Sequence, residues 1–463
     1  MHPRTDTATA PLPPAAPSPA PSRLTGLRLP AGWPIAALVA GYPLWWATGL
    51  GDLVLPLVAV PLAWELARSG RIRVPPGFWC WLLFLLTVAV SVVAMDLSPE
   101  GTLPPSGAGR YLAFAARLAM YVAVAVVMLY IGNASEEALP RLRVVRWMGL
   151  LAIWLVLLGL LALLMPSFSF STLAGGVLPG ASDTAVLAQV QPVLGYESPR
   201  PAAPFAYTNI WGDVLSLTGV WLVVGWVLDD SLRRRALGGL VLLAACVPLV
   251  YSLNRGVWLG VGLSVAYVAV RLALRGRAAA IAGLCAAVLL GGAALASSPL
   301  APLVEQRADA GHSDGIRTTL ALDAVDAALE SPVIGFGSTR ATQGSGSSIA
   351  VGKSADCPQC GNRNIGSTGQ LWLLLISQGF VGTALFYAFF VRSLWAARRD
   401  TTAIGLAGTL VVLLGLFYST LYVANGMPLL LAFMSVALLW RNSRPASAGD
   451  STRALLAPGA VVR

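Results

Sequence analysis

From position 33 onward this chain is a succession of apolar runs, most of about 15–22 residues, separated by short clusters of arginine. Runs of that length have one common solution. A segment inside lipid must satisfy every backbone N–H and C=O within itself, so it forms a helix, and about 20 apolar residues are needed to cross. Composition agrees, with 56% hydrophobic and 11% charged residues in 463, where a soluble domain carries about a quarter charged. The expected fold class is all-α, a polytopic membrane helix bundle of about 12 transmembrane helices. The spans fall near 33–50, 53–67, 78–95, 111–131, 147–165, 208–228, 237–252, 257–272, 279–298, 367–391, 403–422 and 427–441. The second and the last are short, suited to tilted or partly re-entrant helices.

The net charge of +10 sits in the loops. Arginines come in threes between spans, as at Arg68, Arg71 and Arg73 or at Arg233, Arg234 and Arg235, which is the pattern of short cytoplasmic loops. It is not a basic groove, so nucleic-acid binding is excluded as a function class. With the amino terminus inside, 22 basic residues fall on the cytoplasmic side, eight outside and one, Arg117, within a span. The expectation is a multi-pass protein of the cell membrane with both termini cytoplasmic. Residues 1–32 read as a disordered Pro/Ala-rich cytoplasmic tail and not as a signal peptide, and 442–463 as a second disordered tail, flanking a transmembrane domain over 33–441.

Two outer loops are long, 166–207 and 299–366. The second carries a short amphipathic helix between helices 9 and 10. Arg317 to Glu330 sets Leu320, Leu322, Val325 and Leu329 among Asp323, Asp326 and Glu330, and Ser331-Pro332 ends it. Residues 332–337 form a turn, and 338–366, rich in Gly, Ser and Asn, read as mobile. A surface helix with mobile flanks suits a lid. Long outer loops and the lack of an internal repeat set the chain apart from most transporters.

Five cysteines are present. Cys80, Cys246 and Cys285 lie in apolar runs as small core residues. Cys357 and Cys360 share a polar outer loop, as a local disulfide or as free thiols. His2 and His312 add no second pair at metal spacing, so neither a metal nor another cofactor is expected.

The outer cations are Arg110, Arg200, Arg255, Arg307, Arg317, Arg340, Lys353 and Arg363. Arg110, Arg340, Lys353 and Arg363 read as solvated charges or anchors to membrane lipids. Arg255 differs, because the break Ser252-Leu-Asn-Arg-Gly256 between two apolar runs leaves it almost no loop. A cation held there needs an anion to offset its desolvation. Arg317 opens the amphipathic helix, where a planar fork and helix N-terminal N–H groups both suit a phosphate. Arg200 and Arg307 are weaker candidates for the same role. Arg117 either serves function or pairs with a carboxylate such as Asp213. Asn209 and Asp213 share a helical face at spacing four, either orienting ligand hydroxyls or capping and pairing locally. His312 is the one outer histidine, a general-base candidate or an exposed loop residue.

At these residues the chain resembles the superfamily of O-antigen ligases and Wzy-type polysaccharide polymerases. Ser252-Leu-Asn-Arg-Gly-Val-Trp258 is similar to the family's Ser-Arg-Gly-x-Trp at the start of a span. Arg317 through Ala327, followed by Ser331-Pro-Val-Ile-Gly335-Phe-Gly337, resembles its Arg-led helix and Pro-Leu-x-Gly-x-Gly turn. Gln370-Leu-Trp372 through Gln378-Gly379-Phe-Val-Gly382 is similar to the segment ending Gly-Leu-Leu-Gly, and Phe205-Ala-Tyr-Thr-Asn209 to an Asn-bearing start of a middle span. The resemblance covers roughly 195–395.

It implies metal-independent glycan transfer on the outer face, from a donor linked to undecaprenyl diphosphate to a glycan or cell-envelope acceptor. Arg255 and Arg317 would hold the diphosphate, with Arg200, Asn209, Asp213 and Arg307 binding substrate. The family's acceptor-base histidine has no counterpart, since the matching stretch is Gly366-Ser-Thr-Gly369. His312, Asp314 or the substrate itself must take that role, or the acceptor differs. The alternatives are a transporter or flippase for lipid-linked or anionic solutes, and a non-catalytic assembly partner.

Overall fold

A computed structural model describes residues 31–178, 181–193, 196–298, 301–302, 304–305, 312–342, 363–424 and 426–444. The chain is mostly helical, and among the described residues seven helices are long and apolar enough to cross a membrane. They are α5 (Gly109–Asn133), α6 (Arg141–Leu164), α7 (Thr208–Leu222, continued by a π turn to Val227), α8 (Leu232–Tyr251), α9 (Arg255–Ala273), α10 (Ala278–Ala296) and α12 (Gln370–Ala397). Shorter apolar helices accompany them: α3 (Val54–Arg68), α4 (Phe78–Val90, with a 3₁₀ turn to Ala94), α13 (Ala403–Ser419) and α14 (Met427–Asn442).

One expectation changes here, and one loop gains structure. The stretch 33–50 is not one helix but two of 7 residues, α1 (Trp33–Val39) and α2 (Tyr42–Thr48). Pro43 lacks an N–H and cannot continue α1, so the chain turns at Gly41 and restarts with proline in the first turn. The long loop 166–207 carries secondary structure of its own. It folds as two antiparallel hairpins, β1 (Ser169–Ser171) with β2 (Thr184–Val186), and β3 (Ala188–Val193) with β4 (Tyr196–Pro201).

The last helix, short in sequence, is the most enclosed: every residue from Met427 to Arg441 is buried. Around it Trp81, Phe84, Tyr121, Phe386, Phe389 and Phe433 form one aromatic cluster, with Trp81 and Phe433 ring centroids 4.5 Å apart. At the other extreme α10 buries none of its residues. A helix apolar on every side that packs chiefly against α9 and leaves most of its surface open is what lipid contact requires.

Polar contacts between elements separate into two sets. Asp229 accepts from Ser231 N–H and pairs with Arg146 and Arg234, while Glu136 pairs with Arg141 and Arg441. Arg275 Nη2 donates to Thr401 O at 2.7 Å. At the opposite ends of α5, α9 and α12 lie the contacts of Arg110, Arg200, Arg317 and Arg340. The arginines grouped by the charge pattern are thus grouped in space.

The amphipathic helix α11 (His312–Glu330) buries Leu320, Ala324, Ala327 and Ala328, with Phe336, Ile365 and Ile376 in the same small core. Leu322 and Leu329, expected on the packed stripe, are 60% and 65% exposed. Small alanines let α11 lie close to α12, which turns those leucines outward. The turn after α11 then latches into a break in α12. Gly379 leaves helical geometry at φ +63, freeing the carbonyls of Ile376 and Ser377. Phe336 N–H donates to Ile376 O at 2.8 Å, Gly337 N–H to Ser377 O at 2.9 Å, and Phe380 N–H to Pro332 O at 2.8 Å. At Gly335, also at positive φ, a Cβ would lie 2.5 Å from Gln378 N, so the backbones meet only because both partners are glycine. The second and third motif stretches therefore form one interlocked unit.

Candidate functional site

The site is built at the break between α8 and α9. Asn254 caps α9: its Oδ1 accepts from Val257 N–H at 3.3 Å, and Arg255 becomes the first residue of the helix. Leu253 before it has φ +50, the one non-glycine residue at positive φ among those described. Tyr422, in the turn between α13 and α14, donates its hydroxyl to the same Asn254 oxygen. Next to it, a Cβ on Gly256 would stand 2.1 Å from the Tyr422 hydroxyl oxygen. The Arg-Gly pair in the break is thus a steric requirement, with glycine admitting the tyrosine that orders the cap.

Arg317 reaches the same place from α11. Its Nη1 donates to Leu421 O at 3.0 Å and its guanidinium carbon lies 5.9 Å from the Tyr422 ring centroid. Arg200, only 8% exposed on β4, donates Nε to Ser252 O at 2.7 Å. Its register partner Gln189 on β3 accepts from Thr208 N–H at 3.2 Å, so one hairpin both aims Arg200 and caps α7. Gln370, the first residue of α12, donates its backbone N–H to Tyr422 O at 2.9 Å and its side-chain Nε2 to the Tyr121 hydroxyl at 3.0 Å. Arg200 and Arg317 thus reach Ser252 and Leu421, beside Asn254 and Tyr422, and Arg255 follows Asn254 as the first residue of α9. Asp213, 2% exposed, lies one helical residue beyond Gly212, where an added Cβ would come within 3.1 Å of Asn254 Nδ2.

Several expected roles change. Arg317 does not open its helix: α11 begins at His312, and Gly315 sits within it with open space around its Cα. The helix N-terminus at the site, with its positive dipole end, belongs to α9 instead. Asn209 and Asp213 do not cap α7, which has no side-chain cap of its own. Asp213 makes no ion pair with Arg117 among the described residues. Its Oδ1 has no hydrogen-bond partner there, and it borders a small pocket with Phe386, Leu416 and Ser419. His312 contributes backbone to α11, while its side chain, Arg307, Lys353, Cys357 and Cys360 lie outside the described residues. In the stretch lacking the histidine, Gly369 packs against Thr420 O, where a Cβ would approach to 2.8 Å, and the buried Thr368 Oγ1 has no partner among the described residues.

Arg340 is the largest correction. Expected as a solvated charge, it is 3% exposed. Its fork donates to Leu97 O at 2.7 Å, Met95 O at 3.0 Å, Phe336 O at 3.0 Å and Ser338 Oγ at 2.7 Å. It ties the latch to the loop after α4. There Tyr111 first, and then Arg110, hold the exposed Asp96 carboxyl below its ordinary range. Tyr422, Gln370 and Arg340 escaped sequence reasoning because each acts across more than 50 residues of chain. An aromatic residue at the end of an apolar run is the one signal Tyr422 offers.

No model of a known protein family matches this chain, and no curated protein matches it.

Proposed function

We propose that this chain is a membrane glycosyltransferase that transfers or polymerises oligosaccharide carried on undecaprenyl diphosphate, at the outer face of the cytoplasmic membrane. The approach of Arg200 and Arg317 to the Asn254–Tyr422 hydrogen bond, at the cap from which Arg255 opens α9, carries the reading. Two cations from separate elements meet where an apolar helix begins with a third, Arg255, and a diphosphate on a lipid tail answers both the charge and the membrane. The twelve-span arrangement, with both termini cytoplasmic, follows from the arginine pattern and is supported by the two spatial sets of polar contacts.

In this mechanism Arg255, Arg317 and the N-terminus of α9 hold the diphosphate and stabilise the charge that develops as it leaves. The acceptor hydroxyl oxygen forms a bond to the anomeric carbon while the bond from that carbon to the phosphate oxygen breaks, with inversion. The hydroxyl proton passes to His312, to Asp314 or to the departing phosphate. Arg200 and Asp213 position the donor beside Tyr422, and Asn209 and Arg307 contact the glycan.

The test is carrier-linked oligosaccharide in cells making Arg255→Ala or Arg317→Ala protein. Inserted, folded variants are expected to leave it unprocessed on the outer leaflet. Normal polymer in both variants overturns the reading, and accumulation on the inner leaflet points to a flippase instead.

A further inference from the structure

A second cationic cavity lies apart from Arg255 and Arg317, where residues 103–106 and 338–341 meet the beginning of α5. Its volume is about 510 Å³, and its lining includes Arg110, Arg117 and Arg340 with Leu103, Pro105 and Phe114. The three arginines are in different states. Arg340 is saturated with carbonyl oxygens. Arg110 pairs with Asp96, yet its Nε is buried without a partner among the described residues. Arg117 makes no hydrogen bond and no ion pair with any described residue, and its Nη1 is buried. Its charge is felt by the Tyr121 hydroxyl one turn further on.

A guanidinium about 10 Å along a membrane-length helix from Arg110, with no counter-ion among the described residues, is costly to hold. Three arginine charges set against the one carboxylate of Asp96 leave an excess of positive charge, which the phosphodiester anion of a phospholipid offsets and which a planar guanidinium fork can hold by two oxygens. The wall of leucine, proline and phenylalanine adds an apolar side to the cavity. We propose that this cavity binds the phosphate group of an anionic amphiphile, gripped by Arg117, with Arg110 and Arg340 supplying field and Leu103, Pro105 and Phe114 receiving the start of the apolar chain. The inference does not rest on glycan transfer at the Arg255 site.

The test uses the full chain in neutral detergent micelles, titrated with short-chain phosphatidylglycerol or with inorganic pyrophosphate, and Kd read by thermal shift. The unaltered chain is expected to bind phosphatidylglycerol saturably. Arg117→Gln is expected to weaken binding tenfold or more, the effect of losing a charge-assisted contact. Ser106→Glu, at an exposed position on the rim, should do the same without touching the helix core, which guards against misfolding of the arginine variant. Arg317→Gln should bind as the unaltered chain does, so failure here is distinguishable from failure of the glycan-transfer reading. Unchanged binding in both cavity variants, loss confined to Arg317→Gln, or binding of pyrophosphate without phosphatidylglycerol overturns the proposal.

Discussion

Replacing Gly335 by alanine tests whether the α11–α12 latch holds the outer region together. Gly335 sits at φ +62, where an L-residue with a Cβ is strained by about 1 kcal/mol. The new Cβ would also lie 2.5 Å from Gln378 N and 2.5 Å from Ser377 C, both backbone atoms that no rotamer change can move aside. The strands of chain must part, stretching Phe336 N–H to Ile376 O and Gly337 N–H to Ser377 O. Each such bond contributes about 1 kcal/mol net, and somewhat more when its carbonyl is left buried. The expected loss is therefore about 3–4 kcal/mol. Gly276→Ala is the matched control: φ is +65 there, but nothing lies within 4 Å of the added carbon, so the backbone strain of about 1 kcal/mol stands alone. Denaturant titration of both variants in micelles, followed by tryptophan fluorescence, gives the comparison. Equal losses in the two variants refute the latch.

Arg340→Met strips several buried carbonyls of their donor, and about 3 kcal/mol of destabilisation with faster proteolysis near residue 340 is expected, while Arg340→Lys, lacking the fork, restores little of it. Gly256→Ala displaces the Tyr422 hydroxyl at about 1–3 kcal/mol of overpacking and should depress glycan processing although Arg255 is intact; full activity in a folded variant would count against the cap. Asp229, held at about 2 chiefly by Ser231 N–H and then by Arg146 and Arg234, lies below the ordinary carboxylate value of about 3.9. Its contribution to stability is present above that value and lost as pH falls from about 4 toward 2. Asp229→Asn should therefore flatten stability measured across that interval.

The apolar runs were legible because helix length and lipid thickness are both local constraints, and α5 to α10 fall where hydropathy puts them. Arg255 was legible for the same reason: a charge in a break only five residues wide is anomalous without any knowledge of its neighbours. Its surroundings were not. Tyr422 reaches Asn254 across 168 residues, and no periodicity announces such a contact. Arg340 misled because a charge in a Gly/Ser-rich stretch looks solvated, and backbone carbonyls, which every residue carries, leave no trace in composition. The start of α11 misled in a third way, since Gly311 and Gly315 resemble a loop while a glycine in an exposed helix costs only about 1 kcal/mol.

The latch also sets a mechanical ratio. Arg317 stands 13 residues before Glu330, where α11 runs into the turn fastened to α12, so the helix is an arm roughly 20 Å long pivoting at its far end. Swinging such an arm by about 10° displaces its tip by about 3.5 Å, a hydrogen-bond length, from the fixed geometry of the helix. A disturbance too small to unfasten the pivot is thus enough to carry Arg317 away from Leu421 and Tyr422, so grip on an anion at one end is geared to the fit of two glycines at the other.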